Sequence, residues 1–183
     1  MNIEVFLTPS TVTDDDVKGK TAVVVDVLRA SSTIISALDA HARAVIPVSD
    51  TEEAGKIASN LDPSTYVLGG ERHGTKIEGY QLGNSPREYT AEVVEGKTVI
   101  VNAPNGAQAL GKAIAAERLV VGSFLNADRI ADFVRENDQD AVFICAGRQN
   151  RISLDDILCV GLMLHRIWDA QMPAHLPDAT YVA

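Results

Sequence analysis

The chain is poor in cysteine, aromatic residues and positive charge, and it has no long apolar run. Two cysteines, Cys145 and Cys159, are too few for a disulfide framework. Nothing at Met1 to Val5 resembles the charged and apolar regions of a signal peptide, so a reduced, cytoplasmic protein is expected. No apolar stretch approaches the ~20 residues needed to cross a bilayer, and no membrane association is expected. Aromatics at 5% leave the core to Val, Ile, Leu and Ala. A net charge of -9 argues against a surface for nucleic acid, which needs clustered Lys and Arg. Any anionic ligand must therefore be held by local cations. Familiar motifs are missing too. There is no Gly-x-Gly-x-x-Gly, Gly19-Lys20-Thr21 precedes a strand rather than following one, and the four histidines show no metal-ligand spacing, with only His73 placed in a loop of interest.

What is present reads as one α/β domain over residues 1 to 183, with 46% hydrophobic and 22% charged residues. The centre is Thr21 to Thr33, where Val23-Val24-Val25 fits a strand covered on both faces and Asp26 sits at its carboxyl end. Ser31, Ser32 and Thr33 are candidate N-caps for a helix through Ile34, Ala37 and Leu38, leaving amides and hydroxyls facing outward beside Arg29. Further strands are expected at Ala44 to Val48, Tyr66 to Leu68, Thr98 to Val101, Leu119 to Val121 and Ala141 to Cys145, separated by helical periodicity. This alternation predicts a three-layer α/β/α sandwich with a mostly parallel central sheet. Residues 69 to 89 carry repeated glycines and no helical period, and a long irregular segment in a compact domain tends to be functional.

Ligands of parallel sheets bind beyond the strands' carboxyl ends. Asp26 with Arg29, Glu71 with Arg72, Asn105-Gly106, Ser123 with Asn126, and Arg148 with Arg151 all fall just past a predicted strand end. Arginine forks, hydroxyls and helix N-termini suit a phosphate or sulfonate. The carboxylates Asp26 and Glu71 would repel such an anion unless a hard cation such as Mg²⁺ lay between them. A second possibility is Cys145, separated by five residues from Arg151 at the junction of a strand and the helix start capped by Ser153, which is the spacing of cysteine-dependent phosphatases. Ile144 stands where those enzymes usually carry His, and Cys145 also reads as the last buried residue of an apolar strand.

Taken together, Asp26 to Ile34, Gly70-Glu71-Arg72, Gly83-Asn84-Ser85-Pro86, Asn105-Gly106, Gly122 to Ala127 and Cys145 to Arg148 resemble the 2-phosphosulfolactate phosphatase family. The resemblance implies a Mg²⁺-dependent phosphatase that converts 2-phospho-3-sulfolactate to 3-sulfolactate and phosphate, a step towards coenzyme M. It implies that Asp26 and Glu71 hold the metal or activate water, and that Arg29 with Ser31 and Ser32 binds phosphate. Arg72, Asn84, Ser85, Asn105, Gly106, Ser123, Asn126 and Arg148 would then position a small anionic substrate, with a homodimer as a further expectation. Ala107 replaces the Thr usual after Asn105-Gly106, and the chain stops at Ala183, short of the family's usual C-terminal extension. Those departures keep open a relative that binds organophosphates or sulfonates without turnover.

Overall fold

The computed structural model describes residues 1–72, 74–169 and 173–183, so His73 lies outside the described residues. Among the described residues there are eight strands: β1 (Ile3–Phe6), β2 (Thr21–Val25), β3 (Ala44–Val48), β4 (Tyr66–Arg72), β5 (Thr75–Lys76), β6 (Thr98–Asn102), β7 (Arg118–Gly122) and β8 (Ala141–Cys145). The helices are α1 (Asp14–Val17), α2 (Ala30–Asp39), α3 (Thr51–Ala58), α4 (Ala91–Val94), α5 (Pro104–Lys112), α6 (Ala127–Asn137), α7 (Leu154–Ile167) and α8 (Asp178–Val182).

The α/β class and the parallel pairing agree with the sequence reading, but the strands form two sheets. One has the order β1-β8-β2-β7, all parallel. The other has the order β3-β6-β4-β5, parallel except for the short β4–β5 hairpin. Each sheet is covered on both faces. Alternate residues of the first send Val23, Val25, Phe143 and Cys145 against α6 and α7, and Ala22, Val24, Val142 and Ile144 against α5. The second packs Val67, Val99 and Val101 on α2 and α4, and Ile100 and Val48 on α3. Continuous apolar runs such as Val23-Val24-Val25 are what two covered faces require.

The chain passes between the sheets twice within the described strands, from β2 through α2 to β3 and from β6 through α5 to β7. Both crossover helices touch strands of both sheets. Their N-termini therefore meet at the carboxyl ends of the strands, the place in an open α/β sheet where ligands bind. Among the described residues, no helix is long and apolar enough to cross a membrane.

Candidate active site

Asp26 is the first residue past β2, an inner strand of its sheet, and it inherits that strand's burial, being 7% exposed. Its backbone is fastened by Ser31, whose hydroxyl accepts the Asp26 N–H at 2.8 Å while the Ser31 N–H donates to the Asp26 carbonyl at 2.8 Å. Its carboxylate accepts the Ala30 N–H at 3.3 Å, at the first turn of α2. Gly106 approaches from α5 so closely that a Cβ there would lie 2.6 Å from the Ala30 Cβ and 3.0 Å from Asp26 Oδ2. Only glycine lets the two helix N-termini close around this carboxylate.

The serines behave differently from expectation. α2 begins at Ala30 with Arg29 at its N-cap, so Ser31, Ser32 and Thr33 lie inside the first turn rather than before it. Their hydroxyls face inward. Ser31 also donates to the Val24 carbonyl at 3.5 Å, Ser32 to the Val27 carbonyl at 2.8 Å, and Thr33 to the Asn84 carbonyl at 3.0 Å. A short hydroxyl next to its own backbone finds a partner there before it reaches a ligand. These residues shape the turn that presents Asp26 and Arg29, and Ser31 and Ser32 have no outward hydroxyl.

Arg29 reaches across to the second sheet and forms an ion pair with Glu71, at the end of β4. Both side chains are about one-quarter to one-third exposed, at 32% and 25%. Glu71 thus serves Arg29, whereas the sequence pairs it with Asp26 as a metal ligand. Arg72, the next residue, is exposed, and Glu78 lies exposed in the loop beyond.

A third group comes from β8. Gly147 (φ +63°) opens a turn in which Arg148 N–H donates to the Arg151 carbonyl at 2.8 Å and Arg151 N–H returns a bond at 3.0 Å. Gln149 and Asn150 between them both have positive φ, the geometry of a tight two-residue hairpin loop. A Cβ on Gly147 would lie 2.3 Å from the Arg151 carbonyl oxygen. Arg148 and Arg151 are exposed at its ends. Asn105, in the first turn of α5, accepts the Gln149 N–H at 3.3 Å and ties this loop to the Asp26 neighbourhood.

None of the remaining expected residues has a side-chain hydrogen bond to Asp26, Arg29 or Arg148 among the described residues. Ser123 and Asn126 form a reciprocal cap: the Ser123 hydroxyl accepts Leu125 N–H at 3.1 Å, Asn126 Oδ1 accepts Ser123 N–H at 2.9 Å, and Asn126 Nδ2 donates to Val121 at 2.9 Å. Both ends of the Asn126 amide are spent on the turn. Asn84 is buried, its backbone carbonyl bonded to Thr33 and its Oδ1 without a hydrogen-bond donor. Ser85 precedes a short turn at Pro86–Glu88 and its side chain makes no cap bond.

One carboxylate escapes the sequence reading as a site residue. Asp156, in the first turn of α7 and 2% exposed, accepts Val27 N–H at 2.8 Å and Gly147 N–H at 3.0 Å. Two aspartates in a row at a helix start read as favourable dipole partners, and nothing local distinguishes Asp156 from Asp155. The pair of buried carboxylates sets the electrostatics. Burial, with the negative charge of Asp156 added, pushes Asp26 up to about 7, against the pull of the Ala30 and Arg29 N–H groups. Burial likewise raises Asp156 to about 6, opposed by its two N–H bonds.

The cysteine alternative is corrected by the same neighbourhood. Cys145 is wholly buried in β8 among Val25, Phe143 and Cys159. Burial, then Asp156, pushes its thiol far above the ordinary range, the reverse of what a nucleophilic thiolate needs. Among the described residues no group of three or more His, Cys, Asp or Glu side chains gathers to hold a metal. Mg²⁺, however, takes only one or two carboxylates and completes its shell with water and substrate phosphate. A buried carboxylate whose ionised form burial disfavours, such as Asp26, is compatible with that demand.

A family model described as 2-phosphosulpholactate phosphatase matches residues 6–183. The chain is 42% identical over 167 residues to a protein of Caldanaerobacter subterraneus subsp. tengcongensis, covering 91% of this chain and 69% of that one. It is 39% identical over 183 residues to a protein of Clostridium beijerinckii, covering 100% and 77%, and 44% identical over 166 residues to one of Caldicellulosiruptor saccharolyticus, covering 88% and 68%. All three are named "Probable 2-phosphosulfolactate phosphatase". The chain belongs to the 2-phosphosulpholactate phosphatase family.

Proposed function

We propose that this chain is a Mg²⁺-dependent phosphatase that hydrolyses 2-phospho-3-sulfolactate to 3-sulfolactate and inorganic phosphate, on a route towards coenzyme M. The substrate follows from the names of the relatives. The observation that carries the chemistry is the buried Asp26 carboxylate enclosed by the N-termini of the two crossover helices, with Arg29 at the N-cap of one of them ion-paired to Glu71.

Water must attack phosphorus, the ester P–O bond must break, and charge must be stabilised on the phosphoryl oxygens. Bound Mg²⁺ would supply a hard Lewis acid that neutralises phosphate charge beside Asp26. A carboxylate near neutral pKa suits either holding that ion or taking the proton of the attacking water. Arg29 and Arg148 offer planar donor forks to the phosphate, and the α2 and α5 N-termini add partial positive charge. An anion carrying phosphate, carboxylate and sulfonate would draw on exposed arginines such as those at positions 72, 148 and 151.

The test is phosphate release from 2-phospho-3-sulfolactate, with 2-phospholactate as the comparison lacking the sulfonate. Release with Mg²⁺ and its loss in EDTA are expected, with the sulfonated ester preferred. No release from either ester sinks the phosphatase reading, and an undiminished rate in EDTA sinks the metal requirement.

A further inference from the structure

The ladder between β2 and β8 closes with Ala146 N–H donating to the Val25 carbonyl at 2.8 Å. Beyond it the two chains part, one into Asp26-Val27 and the other into Gly147-Arg148. A side chain spans the gap: Asp156 takes Val27 N–H on Oδ1 and Gly147 N–H on Oδ2. We infer that Asp156 is a positioning residue of the proposed phosphatase site, its carboxylate setting the separation of Asp26 from Arg148 by clamping the N–H groups of their neighbours, Val27 and Gly147.

A packing role does not account for this group. α7 is anchored by Ile157, Val160, Met163 and Leu164 in the apolar cluster against the first sheet. Ser153 stands at its N-cap, and the Ser153 hydroxyl bonds Asp155 rather than Asp156. Burying a carboxylate is costly unless its oxygens are used. Asp156 uses both, one on a loop only 9 residues away in sequence and the other on a loop 129 residues away. Asparagine would keep one acceptor and aim an NH₂ at the other N–H. Each clamped amide is one residue from a group assigned to the chemistry, so a small loosening moves Asp26 and Arg148 independently. Misplacement of that kind reduces rate more than stability.

The clamp stands on geometry alone, and its effect on turnover rests on the proposed function. Two measurements separate these. In the unsubstituted protein, hydrogen-bond scalar couplings by NMR should link the Val27 and Gly147 amide nitrogens to the Asp156 carboxyl carbon. Absence of both couplings overturns the clamp whatever the chain hydrolyses. Asp156→Asn should lower kcat about 10- to 100-fold, as loss of a supporting hydrogen-bond partner does. In an Arg148→Ala background the same substitution should cost a smaller factor, because part of what it positions is gone. Equal factors in both backgrounds, with couplings present, overturn the positioning role and leave only a structural one. Couplings present in a wild-type chain that releases no phosphate would sink the proposed function and, with it, the positioning role, while the clamp itself stood.

Discussion

Asp26 and Glu71 stand at strand ends of the two sheets, and the molecule treats them oppositely. β2 lies between β8 and β7 and is covered on both faces, so the residue just past its end stays buried. β4 runs on past its pairing with β6, which ends at Gly70↔Asn102, so Glu71 projects far enough to meet Arg29. One carboxylate is thus left with its charge opposed mainly by a helix N-terminus, and the other is neutralised by a guanidinium. Depth in the sheet separates a residue suited to a cation or proton from one that steers an arginine.

The substitution expected to act most strongly is Asp26→Asn, which keeps the shape and removes the charge. Phosphate release should fall by about 10²–10⁴-fold, the range carried by a group handling protons or charge in a transition state. The melting temperature at pH 8 should not fall, because the lost carboxylate is one that burial disfavours. Glu71→Gln should act more mildly, by about 10- to 100-fold, as a supporting partner of Arg29. Matching the two losses in parallel assays would break the comparison, since it would mean that Glu71 works on the substrate directly.

Much of the fold was legible because burial on two faces leaves a plain mark. Val23-Val24-Val25, ended by Asp26, and Ala141 to Cys145, preceded by Asp140, are short apolar runs, and the latter matches β8 to the residue. The split into two sheets was not legible, since a helix such as α2 has the same apolar spacing whether its strands share a sheet or not. At the site, Asp26, Arg29, Asn105-Gly106 and Arg148 were readable as polar residues just past strand ends, and the structure ties their loops together. The serines misled because a hydroxyl near a helix start has two uses, and sequence does not say whether it faces the turn or the solvent. Asp156 was hidden by its neighbour Asp155, as its two partners come from separate loops. Cys145 misled through spacing alone, since burial rather than position in the chain decides whether a thiol ionises.

The closure of α5 on Asp26 offers a sharper test of that depth. Gly106→Ala forces a methyl group against Ala30 and the carboxylate and should destabilise by about 1–3 kcal/mol, as overpacking does. Gly111→Ala, on the same helix with open space around it, should be neutral or stabilise by up to ~1 kcal/mol. Thermal melts of both variants distinguish local crowding from a general effect of alanine in α5. Stability should also depend on pH through the buried pair. Asp26 and Asp156 have folded-state values of about 7 and about 6, both above the ordinary carboxylate value of about 4. The folded chain therefore holds more protons than the unfolded one between those limits, and their contribution is fully present below about pH 4. It is lost as pH rises through about 7, so melts in metal-free buffer should show stability declining from this pair across that window. Asp26→Asn should flatten the upper part of the decline, and an unchanged profile would show that the carboxylate is not buried as described.

The smallest effect on rate is expected from Cys145→Ala. The thiol lies among Val25, Phe143 and Cys159 with its ionisation opposed by burial and by Asp156, so it has neither the exposure nor the positive neighbour that a nucleophile requires. Removing one buried sulfur leaves a small void and should cost about 1 kcal/mol in a denaturant melt, near the low end for core truncations. Turnover should stay within about twofold, well under the tenfold that about 1.4 kcal/mol of lost transition-state stabilisation would produce. A loss matching that of Asp26→Asn, in a chain that melts normally, would move the chemistry from the end of β2 to the end of β8. It would also make the Asp156 bridge between those two ends the support of a different nucleophile.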